Sequence, residues 1–240
     1  MVQKDVPASP ATRKADQVYT QIRSEIEDGS LKPGQRMSEV WLVEHTGASR
    51  TPVRDALRRL AADELIILEP RQAPMVSPLS LRDIKDLFEF RRIVEVAALE
   101  EIAIQAGKSS RIFGYFSTLA EDFRDIENAL EDTEFLAKFR ALTSKFDELV
   151  ATYTHNQFLK RSLLGLKPHT TRLRIIAHSD HVRLHQSVQE HIDMCEAITS
   201  GDLRSAGTAC RQHLIHVEKS ILNALVNADS ASTQNIDFRP

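Results

Sequence analysis

Glycine is scarce in this sequence: 8 of 240 residues, about 3% against a usual share of roughly 7%. Phosphate-cradling loops and tight hairpins need glycine, so a mononucleotide-binding α/β enzyme is disfavoured and a helical chain is expected. Cysteine is rarer still. Cys195 and Cys210 are too few for a disulfide framework, and a cytoplasmic chain is the simpler reading. No apolar run reaches the roughly 18 residues of a membrane span. The opening, MVQKDVPASPATRKADQ, lacks the apolar stretch of a secretory leader, so none is expected. There is also no excess of one charge: 31 Lys+Arg stand against 34 Asp+Glu, a net of −3. With 42% hydrophobic and 27% charged residues, intrinsic disorder is excluded. The length is that of one or two domains.

What is present divides near residue 79. Pro7 and Pro10 mark residues 1–12 as a disordered arm. Val18, Ile22 and Ile26 recur at four-residue steps, one face of a helix, and Gly29 sits where a helix stops. After the Pro33-Gly34 turn, Ser38 is the expected N-cap of a short second helix. Val53, Ala56, Leu57 and Leu60 give a third helix its apolar stripe, with Pro52 in the first turn, where a missing N–H costs nothing. Ile66, Ile67 and Leu68, then Met75-Val76 across Arg71-Gln72-Ala73-Pro74, predict a small β-hairpin. Residues 13–78 thus form one unit. From Ser80, the apolar residues Leu81, Ile84, Leu87, Phe88, Ile93, Val96, Ala97 and Ile104 predict a long amphipathic helix closed by Gly107. Further helical patterns cover 109–130, 132–154, 157–166, 170–178, 180–200 and 203–226. A mainly α fold follows, with an all-helical bundle of about seven helices over 79–226 and a flexible tail over 227–240.

Three short helices and a two-stranded wing describe a winged helix-turn-helix, whose third helix lies in the DNA major groove. Residues 1–78 carry 11 basic and 11 acidic residues, so bulk charge gives no hint. The signal is local: positions 50–59 hold four Arg against one Asp. Arg50, Arg54 and Arg58 form one stripe, and an arginine fork suits guanine O6/N7 or a phosphate. Thr51 can supply a hydroxyl to the DNA backbone. Taken alone, the stripe reads more readily as a solvated helix surface, the usual fate of charge runs.

The stretches Gly29-Ser30-Leu31-Lys32-Pro33-Gly34-Gln35-Arg36-Met37-Ser38-Glu39 and Ser49-Arg50-Thr51-Pro52-Val53-Arg54-Asp55-Ala56-Leu57, then Leu60, closely resemble GntR-type bacterial transcription regulators. Phe90-Arg91, Glu95, Asn156, Glu190-His191, Ala197-Ile198, Gly201-Asp202 and His213-Leu214 resemble the effector-binding (FCD) helical domain of the FadR branch, in its VanR-like form. The resemblance covers roughly residues 13–222. It implies a dimeric, ligand-responsive regulator, a repressor, that binds double-stranded operator DNA and a small organic acid. The DNA-binding set it implies is Arg36, Ser49, Arg50, Thr51, Arg54, Arg58 and Arg71. Two positions depart from the pattern. Val40 stands where relatives often carry a DNA-contacting Arg, and Ala73 stands at the wing tip in place of Gly. Helix contacts should therefore matter more than wing contacts.

The same resemblance implies one divalent metal per chain, Zn or Ni, inside the bundle. His191 and His213 fit its later two ligand positions. Anchored on Phe146, the first pair falls on Thr143, where relatives have Asp, and on Asp147, where they have His. The two residues still share one helix face. Asp147, His191 and His213 are the ligand set so implied, with Thr143 at best holding a water. The alternative is a buried polar network without metal. Arg91 is the expected effector contact, or else an intrahelical partner of Glu95, and Arg172 and Arg174 are further candidates for an anionic group. His178, His181 and His185 could share a solvated or dimer-facing stripe. Cys195 reads as core. The competing functional reading is a helical metal-dependent hydrolase, which lacks an evident general base; a pure interaction module is a third. The arginine stripe argues against both.

Overall fold

The first helix, α1 (Pro10–Glu27), exists because Ala15, Val18, Ile22 and Ile26 share one buried face. The structure, a computed structural model, describes residues 10–127, 133–177 and 181–231, with side chains over 13–127, 134–177 and 182–227. The helix begins inside the stretch expected to be an arm, with its proline in the first turn, where φ suits the helix and no donor is lost. Residues 1–9 of that arm, and the expected tail from 232, lie outside the described residues. Gly29, at φ 81°, ends α1 in a left-handed turn that lets Leu31 N–H reach back to the Glu25 carbonyl at 2.8 Å.

Helix α2 (Glu39–Thr46) starts at Ser38, whose hydroxyl accepts from Trp41 N–H at 3.1 Å. It stops at Gly47, with φ 59°. Helix α3 (Arg50–Ala62) buries Pro52, Val53, Ala56, Leu57 and Leu60. Val53, Ala56, Leu57 and Leu60 join Ile22, Ile26, Met37, Leu42, Leu65 and Val76 in one core. Strands β1 (Ile66–Ile67) and β2 (Met75–Val76) pair antiparallel, Ile66 with Val76 and Ile67 with Met75. A bridge from Arg36 to Met75 adds a third segment to this wing.

A second unit begins at Ser80, whose hydroxyl caps α4 (Leu81–Ala106) by accepting from Asp83 N–H at 3.0 Å. The unit adds α5 (Ser110–Glu127), α6 (Thr133–Tyr153), α7 (Gln157–Ala177) except its Pro168–Arg172 stretch, α8 (His181–Thr199) and α9 (Leu203–Ala231). Helix α4 packs along α9, and α5 along α8. The core holds Phe88, Leu99, Ile102, Phe116, Phe123, Phe139, Ile198 and Leu214. Gly201, at φ 72°, makes the tight link from α8 to α9.

Two expectations fail here. The bundle has six helices among the described residues, not about seven, because α7 runs unbroken through Pro168. The proline removes one backbone hydrogen bond without ending the helix. Along α4 the buried face is Ile84, Phe88, Val94, Leu99 and Ile102, while Ile93, Ala97 and Ile104 are exposed. Apolar residues surround this helix on most sides, so their spacing could not say which side the bundle would bury.

Candidate nucleic-acid interface and buried polar cluster

Burial of one α3 stripe turns the opposite face outward. Arg50, Thr51, Arg54, Arg58 and Arg59 are all exposed. Ser49 has N-cap backbone geometry, yet its side chain makes no capping hydrogen bond. Arg58 has no charge partner among the described residues. Arg59 instead braces α3 to α1, donating to Asp16 at 2.6 Å with its guanidinium 4.3 Å from the Tyr19 ring centre. Arg54 donates through Nε and Nη2 to the two carboxylate oxygens of Glu39, at 3.0 and 2.9 Å. That grip holds the Glu39 carboxyl below its ordinary range, with Arg50 adding a weaker pull. Arg36 donates to Gln72 Oε1 at 2.9 Å and to the Ala73 carbonyl at 3.5 Å, so it supports the wing turn. Arg71 sits in that turn, exposed, at φ 65°. Glu39 carries no signal of this role in the sequence beyond its place after the capping Ser38.

Inside the helical unit, α8 and α9 bring His191 and His213 together, ring centres 4.7 Å apart and edge to face. Three aromatic rings, Phe123, Phe139 and Phe146, surround His191 at 5.0, 5.9 and 5.4 Å. Its Nδ1 lies 2.6 Å from the Ser187 carbonyl, and only a protonated Nδ1 makes that bond. Burial drives His191 well below the ordinary histidine range, and His213 is lowered for the same reason, so both rings are neutral near pH 7. Glu190 is the hub. It accepts from Arg183 at 3.1 and 2.5 Å, from His213 Nδ1 at 2.6 Å and from His216 Nδ1 at 2.7 Å. Burial alone would raise its carboxyl; the bonds from His213 and the charge of Arg183 outweigh that and hold it at about 2. In the sequence nothing marks Arg183 for this role, and only its place before His191 marks Glu190.

Asp147 does not join the two histidines. Arg174 donates to its carboxylate. Arg91 pairs with Glu95 at 2.7 Å, within the same helix, and lies over the Phe88 ring. Thr143 is buried and donates to the Arg140 carbonyl at 3.0 Å. Pro168–Arg172 belong to the first unit, where Arg172 donates to the Ser77 carbonyl at 2.6 Å. Burial lowers its guanidinium to about 10. His185 stacks on Phe135, while the side chains of His178 and His181 lie outside the described residues. Cys195 is core, its thiol raised by burial.

Residues 14–76 match the model for bacterial regulatory proteins of the gntR family, and residues 86–216 match the FCD domain. The chain belongs to the GntR family of transcriptional regulators. It is similar to the HTH-type transcriptional regulator YdhC of Bacillus subtilis (strain 168), 28% identical over 83% of this chain and 87% of that protein. It is also similar to the HTH-type transcriptional repressor RspR of Escherichia coli (strain K12), 24% identical over 90% of each. Among solved structures, a GntR regulator from Rhodococcus sp. RHA1 shares the fold, with a TM-score of 0.69, 19% identity, and 89% and 99% of the two chains covered. This GntR regulator is therefore a DNA-binding protein with an effector-binding FCD domain, a class of non-enzymes, and the hydrolase reading has no support.

The metal implied for the FCD domain does not fit the residues that this regulator presents. Two neutral imidazoles remain, Asp147 is committed to a guanidinium, and Thr143 offers only a neutral hydroxyl whose hydrogen goes to the Arg140 carbonyl. Among the described residues, no group of three His, Cys, Asp or Glu side chains is placed to hold a metal ion. Arg91, Arg174 and Arg183 add positive charge that acts on these same imidazoles. Among the described residues no helix is long and apolar enough to cross a membrane.

Proposed function

We propose that this regulator is a cytoplasmic repressor that reads a near-palindromic operator as a homodimer and answers to a small organic acid. The observation that carries the DNA reading is the exposed face of α3, where Arg50, Arg54 and Arg58 stand opposite the buried stripe. In this reading Arg50 and Arg54 reach base edges, and Ser49, Thr51 and Arg58 meet the backbone. Arg36 and Arg71 act at the wing. A second copy would cover the exposed stripe of α4, Phe90, Ile93, Ala97 and Ile104, which is 63% exposed at Ile93. In the bundle, Arg91 and Arg174 each hold a carboxylate of the chain itself, Glu95 and Asp147. An entering organic acid would take over one of those forks beside Thr143, with no metal as intermediary. Its differential affinity for two dimer geometries would then shift operator occupancy.

The test uses fluorescence anisotropy on a duplex chosen by the full chain from a random-sequence pool. A salt-dependent complex of two chains per duplex, weakened or strengthened by a short-chain mono-, di- or hydroxy acid, is expected. Failure to choose any sequence would end this reading.

A further inference from the structure

Arg54 does not stand alone on α3. Glu39, the first residue of α2, grips it side-on through Nε and Nη2, at 3.0 and 2.9 Å. A guanidinium carries five N–H groups in a planar fork. The side-on grip uses Nε–H and one hydrogen of Nη2. The hydrogens at the tip, on Nη1 and Nη2, stay free of Glu39. Those are the two that a guanine O6/N7 edge engages.

The grip is itself anchored. Ser38 caps α2 and sets the first turn from which Glu39 projects. Leu42, one turn on, is fully buried in the core that also holds Val53 and Leu57 of α3. The pair nevertheless stays at the surface, with Arg54 56% and Glu39 38% exposed. An exposed ion pair contributes little to folding stability. On a DNA-binding face, moreover, a carboxylate repels every phosphate it approaches. Glu39 therefore lowers affinity for all sequences unless it improves how Arg54 reads one of them.

We propose that Glu39 is the positioning residue that makes Arg54 sequence-specific, presenting the guanidinium tip to a base edge and withholding it from phosphates. The proposal rests on α3 entering the major groove, as read above.

The test uses the full chain, the duplex selected by the parent protein, and a scrambled duplex of equal length, at one salt concentration. Glu39→Ala should bind the scrambled duplex more tightly and the selected duplex no better. The ratio of the two affinities should fall about five- to tenfold, the scale of a partly lost bidentate contact. The relaxed base pair should be the one that Arg54→Ala also relaxes. In the Arg54→Ala background, Glu39→Ala should leave the ratio unchanged. Glu39→Gln, which keeps an acceptor oxygen, should recover part of the ratio. Equal melting temperatures exclude a folding defect. If Glu39→Ala leaves the ratio intact, or lowers it equally without Arg54, the proposal is overturned. A parent protein that selects no sequence defeats the major-groove reading itself. A consensus relaxed by Arg54→Ala but not by Glu39→Ala defeats the positioning role alone.

Discussion

Replacing Arg183 by Met should expose how strongly the buried cluster depends on one guanidinium. Arg183 and Glu190 have side chains only 6% and 15% exposed, joined by two charge-assisted bonds. Removing one partner of such a pair leaves a buried carboxylate, at a cost of about 3–5 kcal/mol. Glu190 would keep its imidazole donors, His213 and His216, so a loss near 3 kcal/mol is expected. For a unit of this size, that corresponds to a fall of roughly 6–12 °C in Tm. Urea unfolding and thermal melts of the full chain measure it. The double variant, Arg183→Met with Glu190→Gln, removes the uncompensated charge and should recover most of the loss. A single variant losing less than about 1 kcal/mol, or a double variant as unstable as the sum of its singles, would refute the argument.

Acid should destabilise the protein in two steps. His191 and His213 are lowered in the folded chain, so their contribution is full above about pH 6.5 and is lost as pH falls below it, since the unfolded chain binds the protons first. Each imidazole adds a slope of up to about 1.4 kcal/mol per pH unit. His191→Gln should flatten this step, and a Tm level between pH 7.5 and 5.5 would rule out the neutral buried rings. Glu190, held at about 2, contributes stability that is full above its unfolded value near 4.5 and fades as pH falls from there. Arg54→Ala should weaken operator binding by about 1–3 kcal/mol, whereas Arg58→Ala should weaken selected and scrambled duplexes alike and reduce the salt slope by about one; footprinting and salt titrations separate the two. Elemental analysis of protein purified without chelator should find well under one Zn or Ni per chain, with a Tm indifferent to chelator. Near-stoichiometric metal would mean that the donor set has been misread.

The sequence by itself determined what depends on neighbours along the chain. The hydroxyls of Ser38 and Ser80 cap their helices because a cap needs only its own first turn. The stripe of Arg50, Arg54 and Arg58 faces outward because four-residue steps oppose it to Val53, Ala56, Leu57 and Leu60. The hairpin follows from two short apolar runs and their turn. The gntR-type motif, being local in spacing, was equally legible. Pairings between helices were not. Asp147 and Arg174 are 27 positions apart, and Glu190 lies 26 from His216. Whether such groups meet depends on how each helix is rotated and where it crosses its neighbour, which no periodicity records. The motif put Asp147 beside two histidines; tertiary packing gave it to Arg174 and made Glu190 the centre. Likewise Glu39 and Arg54 meet only because the core under α2 and α3 fixes the distance between two short helices.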